Sequence, residues 1–110
     1  MKWYHNLFLG EKIAPKHKQI IRKIKRNKLT PNVYVISFAS NPCNLFDIIP
    51  AVELTQKGYP TESIQIIGLA EGKIEAFEVI RQIVDETYQK TGNTNAKEYV
   101  RAKWGEDLCK

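Results

Sequence analysis

The chain contains few of the residues from which metal centres and nucleophilic active sites are usually built. Of its 110 residues, two are cysteines and two are histidines, and no CxxC spacing occurs. Cys43 and Cys109 are therefore not expected to form a disulfide framework or a zinc site. His5 and His17 have no recognisable catalytic motif around them. We expect no catalytic residue, no metal and no cofactor, and the sequence favours a protein that is not an enzyme.

Long hydrophobic runs are also missing. Near the amino terminus the continuous apolar run extends only from Leu7 to Leu9, which is too short for the core of a signal peptide or for a membrane span. Together with the isolated cysteines, this predicts a cytoplasmic location and no membrane partner. The length and the ordinary hydrophobic content predict one α/β domain over residues 1–110.

Apolar patterns predict three strands. They are Trp3 to Leu9, Asn32 to Ala39 and Ser63 to Ala70. The second and third are apolar on both faces, which is typical of strands covered on both sides in a parallel sheet. The first mixes aromatic and aliphatic residues and ends at Gly10.

Helical spacing of apolar residues predicts helices between and after these strands. Pro15 suits the first turn of a helix that runs to Lys28. The segment before Gly58 is also predicted to be helical. If Asn41 capped this helix, Pro50 would lie in the helix interior and kink it. If Asp47 is the cap, Pro50 lies in the first turn, where its missing N–H has no helical partner. We therefore favour Asp47. Later helices are predicted from Gly72 to Thr91, with Gly92 as the stop, and after Asn95, which forms a capping pair with Glu98.

The order of these elements is βαβαβα plus a short C-terminal helix. It predicts a small, mainly parallel three-stranded sheet flanked by about four helices. Ligands of such sheets bind beyond the carboxyl ends of the strands, where two loops are expected to meet. The possible strand-end ligand site formed by these loops comprises Ser40, Asn41, Cys43, Asn44, Gly68, Gly72 and Lys73.

The stretch from Gly68 to Lys73 has the order of parts of a phosphate-binding loop but not its spacing. A P-loop has four residues between its first glycine and its Gly-Lys pair, followed by Ser or Thr; here there are three, and Ile74 follows Lys73. Glu71 adds a negative charge where a phosphate would sit. A phosphate-type loop around Cys43 would similarly need an arginine that this part of the chain lacks. We expect the glycines to allow a tight turn and close packing.

Positive charge is concentrated in one segment. Residues 12–28 hold eight of the 17 cations and no acid, and the rest of the chain has nine cations against twelve acids. On a helical wheel these cations lie opposite Ile13, His17, Ile20 and Ile24, so we expect them to share one exposed surface. The predicted binding surface comprises Lys16, Lys18, Arg22, Lys23, Lys25 and Arg26.

Negative charge is concentrated on the predicted helix after Gly72. Glu71, Glu75, Glu78, Asp85 and Glu86 fall within about 100° of arc and define an acidic face over residues 71–86. The leading hypothesis is a non-catalytic binding or accessory module, in which these two charged faces serve a protein partner or self-association. The alternative is nucleic-acid binding through the basic helix. A second alternative is a small-ligand-binding protein or an enzyme with a site at the strand ends.

Overall fold

The structure is a mixed sheet with helices on both faces. The computed structural model describes residues 2–38, 46–56, 58 and 64–108, without the side chains of His5 and of residues 104–108. Its strands and α-helices are β1 (Lys2–Leu9), α1 (His17–Lys25), β2 (Val33–Phe38), β3 (Phe46–Pro50), β4 (Gln65–Glu71), α2 (Lys73–Thr91) and α3 (Ala96–Leu108). Short 3₁₀ turns at Ala14–Lys16 and Ala51–Thr55 follow β1 and β3.

The four described strands have the order β1-β4-β2-β3. Only β1 and β4 are parallel, whereas β2 is antiparallel to both β4 and β3. The mixed α/β class is confirmed, and β1 belongs to the main sheet. The prediction of a three-stranded, mainly parallel sheet with four helices is wrong. The described sheet has four strands, and two of the three pairings between its strands are antiparallel. Three α-helices are described.

Each face of the sheet has its own hydrophobic core. On one face, α1 and the second 3₁₀ turn cover β-sheet residues such as Val35, Ile66 and Leu69. On the other face, α2 and α3 cover Ile36 and Ile67, among others. Both faces of β2 and β4 are therefore buried, as their two-sided apolar patterns predict. The basic helix α1 and the helix α2 consequently lie in different layers.

The first helix begins and ends for local reasons. Pro15 lies in the 3₁₀ turn that leads into α1, where its missing N–H has no helical partner to lose. At the other end Asn27 has a positive φ of 56°, and the Lys28 N–H donates to the Lys23 carbonyl at 2.9 Å. The Asn27 N–H donates to the Ile24 carbonyl at 3.0 Å, which completes a Schellman motif. A helix in this basic segment is confirmed over His17–Lys25, but it ends before the predicted Lys28 because the chain turns at Asn27.

The helix predicted from Asp47 to Gly58 is wrong. Phe46–Pro50 is a strand that pairs with β2, with Val35 opposite Ile49 and Phe38 opposite Phe46. In the described residues of this segment the helical part is Ala51–Thr55, which forms a 3₁₀ turn. Ile48 and Ile49 are β-branched and favour a strand once a partner strand is available, and Pro50 then ends it.

The last two helices agree with the sequence prediction. Gly92 ends α2 in the left-handed region, with φ 76°. Asn95 then caps α3: its Oδ1 accepts the Glu98 N–H at 3.4 Å, and its Nδ2 donates to the Glu98 carboxylate at 2.9 Å. None of the helices in the described part of the chain combines the length and apolar character that crossing a bilayer requires.

Thr30, between α1 and β2, is expected to be a site where a more apolar residue stabilises the fold. Its hydroxyl is buried and has no hydrogen-bonding partner among the described residues. Thr30→Val keeps the shape and removes the unpaired hydroxyl, so the free energy of unfolding should rise by about 1 kcal/mol. Urea unfolding of the two proteins measures this change, and Thr94→Val, at an exposed position, is the control that should change little. A destabilised Thr30→Val protein would mean that the hydroxyl is hydrogen-bonded in solution.

Candidate functional site

The edge of the sheet where the parallel strands β1 and β4 end is closed by a protein carboxylate. Glu75, in the first turn of α2, is only 7% exposed. It accepts the Lys12 N–H at 2.7 Å and the Glu71 N–H at 2.6 Å. The Gly72 N–H is also used, because it donates to the Asn32 carbonyl at 2.7 Å. A buried carboxylate of the protein therefore lies in the first turn of α2, and its two backbone partners, Lys12 and Glu71, precede that helix.

The pairing on which the predicted strand-end ligand site depended is wrong. Because β2 and β4 are antiparallel, Val33 lies opposite Glu71, so the carboxyl end of β4 meets the start of β2 and not its end. Gly68 lies inside β4, and Gly72 and Lys73 follow its end. The remaining members of that site, Ser40, Asn41, Cys43 and Asn44, lie outside the described residues.

The acidic face predicted for residues 71–86 is smaller than the sequence suggests. Glu75 is buried, and Glu71 forms a salt bridge with Lys16. Glu86 accepts hydrogen bonds from Tyr99 at 3.1 Å and from Lys103 at 3.3 Å. The pKa of Lys103 is raised above its ordinary value by the hydrogen bond of Lys103 to the Tyr99 side chain and by the nearby Glu86 carboxylate. Glu71, Glu75 and Glu86 are thus engaged by groups outside α2.

The outward side of α2 is partly apolar. Ile74 is 80% exposed, and Phe77 and Tyr88 are each 57% exposed. At about 100° per residue these three side chains fall on one stripe of the helix. Arg81 lies on the same stripe and is 4.0 Å from Asp85 in an exposed ion pair. The exposed surface of α2 is therefore mixed in character and not uniformly acidic.

The cations of α1 remain at the surface. Ile20 and Ile24 pack on the sheet, while Lys18, Arg22, Lys23, Lys25, Arg26 and Lys28 are exposed. We call these six side chains the basic face. Among the eight cations of residues 12–28, Lys16 alone forms a salt bridge within the described part of the chain, and it therefore contributes less free charge than the sequence predicts.

Part of the basic face forms an open depression near the carboxyl end of α1. Its volume is about 330 Å³, and it is lined by Gln19, Arg22, Lys23, Arg26 and Lys28. Four of these five residues are cations and none is an acid. Arg22 and Arg26 are one helical turn apart, so their guanidinium groups can approach the same anion.

An aromatic side chain that the sequence does not place near the basic helix lies beside it. Trp3 of β1 forms the wall of a groove between β1 and α1, and the Lys25 Nζ lies 5.8 Å from its ring centroid. The residues 12–28 contain no aromatic side chain. Pattern analysis missed Trp3 because it is 22 positions before Lys25, and only the packing of α1 beside β1 brings the two together.

No family model, curated protein or solved structure matches the chain. Within the described ranges, no group of three or more histidine, cysteine, aspartate or glutamate side chains is arranged to hold a metal ion. The feature with the clearest chemical character is the basic face with the adjoining Trp3 groove.

Proposed function

We propose that the protein binds nucleic acid through the basic face of α1. The observation that carries this proposal is the exposed set of cations that no carboxylate of the described chain neutralises. A basic stripe along one helix is the expected footprint of phosphate contacts. The depression around Arg22 and Arg26 offers two planar guanidinium groups, which suit phosphate oxygens better than isolated lysines do.

The position of these cations also explains why they are tolerated without a ligand. Lys23, Lys25 and Arg26 lie in or just after the last turn of α1, where the helix dipole favours positive charge. They are exposed, so water and salt screen their mutual repulsion. The basic face is therefore stable in the free protein and available for a polyanion.

The proposal is tested by the fluorescence anisotropy of labelled oligonucleotides titrated with the protein at two salt concentrations. DNA and RNA of mixed sequence are measured in parallel. Binding should weaken as salt rises, with a log-log slope of about −3 to −5 if four to six phosphates are contacted at roughly 0.7 to 0.9 each. Absence of binding to both nucleic acids at low salt would contradict the proposed function.

Removing two charges from the basic face should weaken binding specifically. The double variant R22Q/R26Q is expected to lose at least tenfold in affinity at low salt, and its slope should become shallower by about 1.4 to 1.8. The matched control is R81Q/K90Q, which removes the same two charges from exposed positions on α2, in the opposite layer. Equal losses in the two double variants would indicate a net-charge effect and would contradict a site on α1.

Association with a protein partner, or self-association through opposite charges, stays a prediction from the sequence. It receives less support than nucleic-acid binding, because Glu71, Glu75 and Glu86 make contacts within the domain. Subunit pairing by charge predicts a mass above 12.7 kDa that falls as salt rises, which sedimentation measures directly.

A further inference from the structure

We infer that the groove between β1 and α1 holds one unpaired base stacked on Trp3, so that the protein prefers single-stranded to double-stranded nucleic acid. This inference rests on the proposed function and adds a subsite that lies outside the basic helix itself.

The groove has the size and lining that a base requires. Its volume is about 300 Å³, at the lower end of the range for small-ligand pockets. Trp3, Leu7 and Leu9 line it from β1, and Lys18, Ile21 and Lys25 line it from α1. Among the described residues that line it there is no carboxylate. An aromatic and aliphatic wall beside two ammonium groups fits a flat uncharged ring that is attached to phosphate.

The contact between Lys25 and Trp3 already shows how the indole face is used. The Lys25 Nζ lies 5.8 Å from the ring centroid, within the distance at which a cation is attracted by an aromatic face. The flexible side chain of Lys25 can move from the ring to a neighbouring phosphate when a base replaces it. The base then gains stacking, and the ammonium group gains a full negative charge as its partner.

The groove is continuous with the basic face. On the wheel of α1, Lys18 and Lys25 lie on the side facing β1, at about 100° and 80° from His17, and Arg22 follows at about 140°. Arg26, at about 180°, continues the band into the depression near Lys28. A strand with one base on Trp3 can therefore pass its phosphates across α1 from the groove to the arginines.

The recessed position of Trp3 excludes paired bases. In a duplex both faces of each base are covered by its neighbours, so an indole can stack only on a base that has left the helix. Trp3 belongs to β1 and lies on the side that faces α1. Its side chain is half-buried and packs against the core on that side, so it does not project into solvent. A duplex can contact the basic face with its phosphates, but it cannot place a base in the groove.

The test compares a 12-nucleotide mixed-sequence DNA strand with the same strand annealed to its complement. Both are titrated into the protein while tryptophan emission is followed, with anisotropy as a second readout. The sequence contains two tryptophans, Trp3 and Trp104, so W3F retains only Trp104 as a reporter. We expect the single strand to quench the emission of the parent protein, and this quenching to be absent in W3F. We expect the duplex to bind at least tenfold more weakly.

The aromatic contribution is measured with two replacements of Trp3. W3L keeps an apolar side chain against the core and should lose about tenfold in affinity for the single strand, with little change for the duplex. W3F keeps an aromatic ring for stacking and for packing against the core, so its affinity for the single strand should fall less than that of W3L. Circular dichroism checks that both variants are folded; if W3L is not, the comparison of the parent protein with W3F decides.

Two results separate this inference from the proposed function. The inference would be overturned if single strand and duplex bound with equal affinity, if neither quenched the emission, and if W3F and W3L had no effect. The proposed function would stand in that case, provided that binding depended on salt and was lost in R22Q/R26Q. Absence of binding to either form at low salt would overturn both. Quenching by the single strand alone, lost in W3F, supports the inference.

Discussion

Replacing Glu75 with glutamine is expected to lower the free energy of unfolding by about 2–3 kcal/mol, and replacing it with alanine by about 3–4 kcal/mol. The buried carboxylate accepts the N–H groups of Lys12 and Glu71. Glutamine has one acceptor oxygen and turns an NH₂ group towards the second backbone donor. Alanine leaves both N–H groups without this acceptor. Urea unfolding followed by circular dichroism measures the difference.

The control for Glu75 lies one turn away on the same helix. Glu78→Gln makes the same change of charge at an exposed position, so its free energy of unfolding should stay within about 0.5 kcal/mol of the parent value. If the two variants were equally stable, the carboxylate of Glu75 would have no special role. Gly10 belongs to the same arrangement, because a Cβ at this position would lie 2.2 Å from the Glu75 Cδ.

Gly68→Ala is expected to lower the free energy of unfolding by about 2–3 kcal/mol. Gly68 lies in the middle of β4, next to Phe8 of β1. A Cβ would lie 2.8 Å from the Phe8 carbonyl oxygen and 3.4 Å from Ile36 and Val79 side-chain carbons. Since the closest atom belongs to the backbone, it cannot rotate away, and the pairing of β1 with β4 has to shift.

Gly58→Ala is the comparison variant, because alanine meets backbone strain there but no close atom among the described residues. Gly58 has φ 87°, and among the described residues other than its chain neighbours no atom lies within 4 Å of a Cβ position, so backbone strain is what opposes alanine there. That strain costs about 1–2 kcal/mol. A Gly68→Ala protein as stable as the parent would contradict the close approach of β1 to β4 at Phe8.

The contacts of Glu75 and the free cations of α1 together favour a functional site on α1 over one at the strand ends. Beyond the ends of the parallel strands β1 and β4, the Glu75 carboxylate accepts the N–H groups of Lys12 and Glu71, so these two donors are already paired within the protein. None of the six cations of the basic face forms a salt bridge within the described part of the chain. Free charge is therefore found on α1, in a different layer from α2.

The amphipathic character of α1 follows from local order in the sequence. Isoleucines at helical spacing require one side of α1 to be buried, and this places the cations of the other side in water. The ends of α2 and α3 are equally local, since Gly92 and the pair Asn95 and Glu98 act within a few residues. The strands β2 and β4 are readable because both faces are apolar. These features depend on neighbours at most one or two turns away.

The partners of each strand and the composition of the site depend on contacts between distant segments. Nothing local in Phe46–Pro50 distinguishes a helix start from a strand, and β2 decides by pairing with it. The same two-sided apolar pattern fits β4 whether its neighbour runs parallel or antiparallel, so the wrong relative direction of β2 and β4 followed from a feature that the pattern does not determine. Glu75 looks like a member of an acidic surface until β1 brings Lys12 to it. Likewise Trp3 joins the basic face because α1 folds back beside β1, since side-chain periodicity encodes which face is buried but not what covers it.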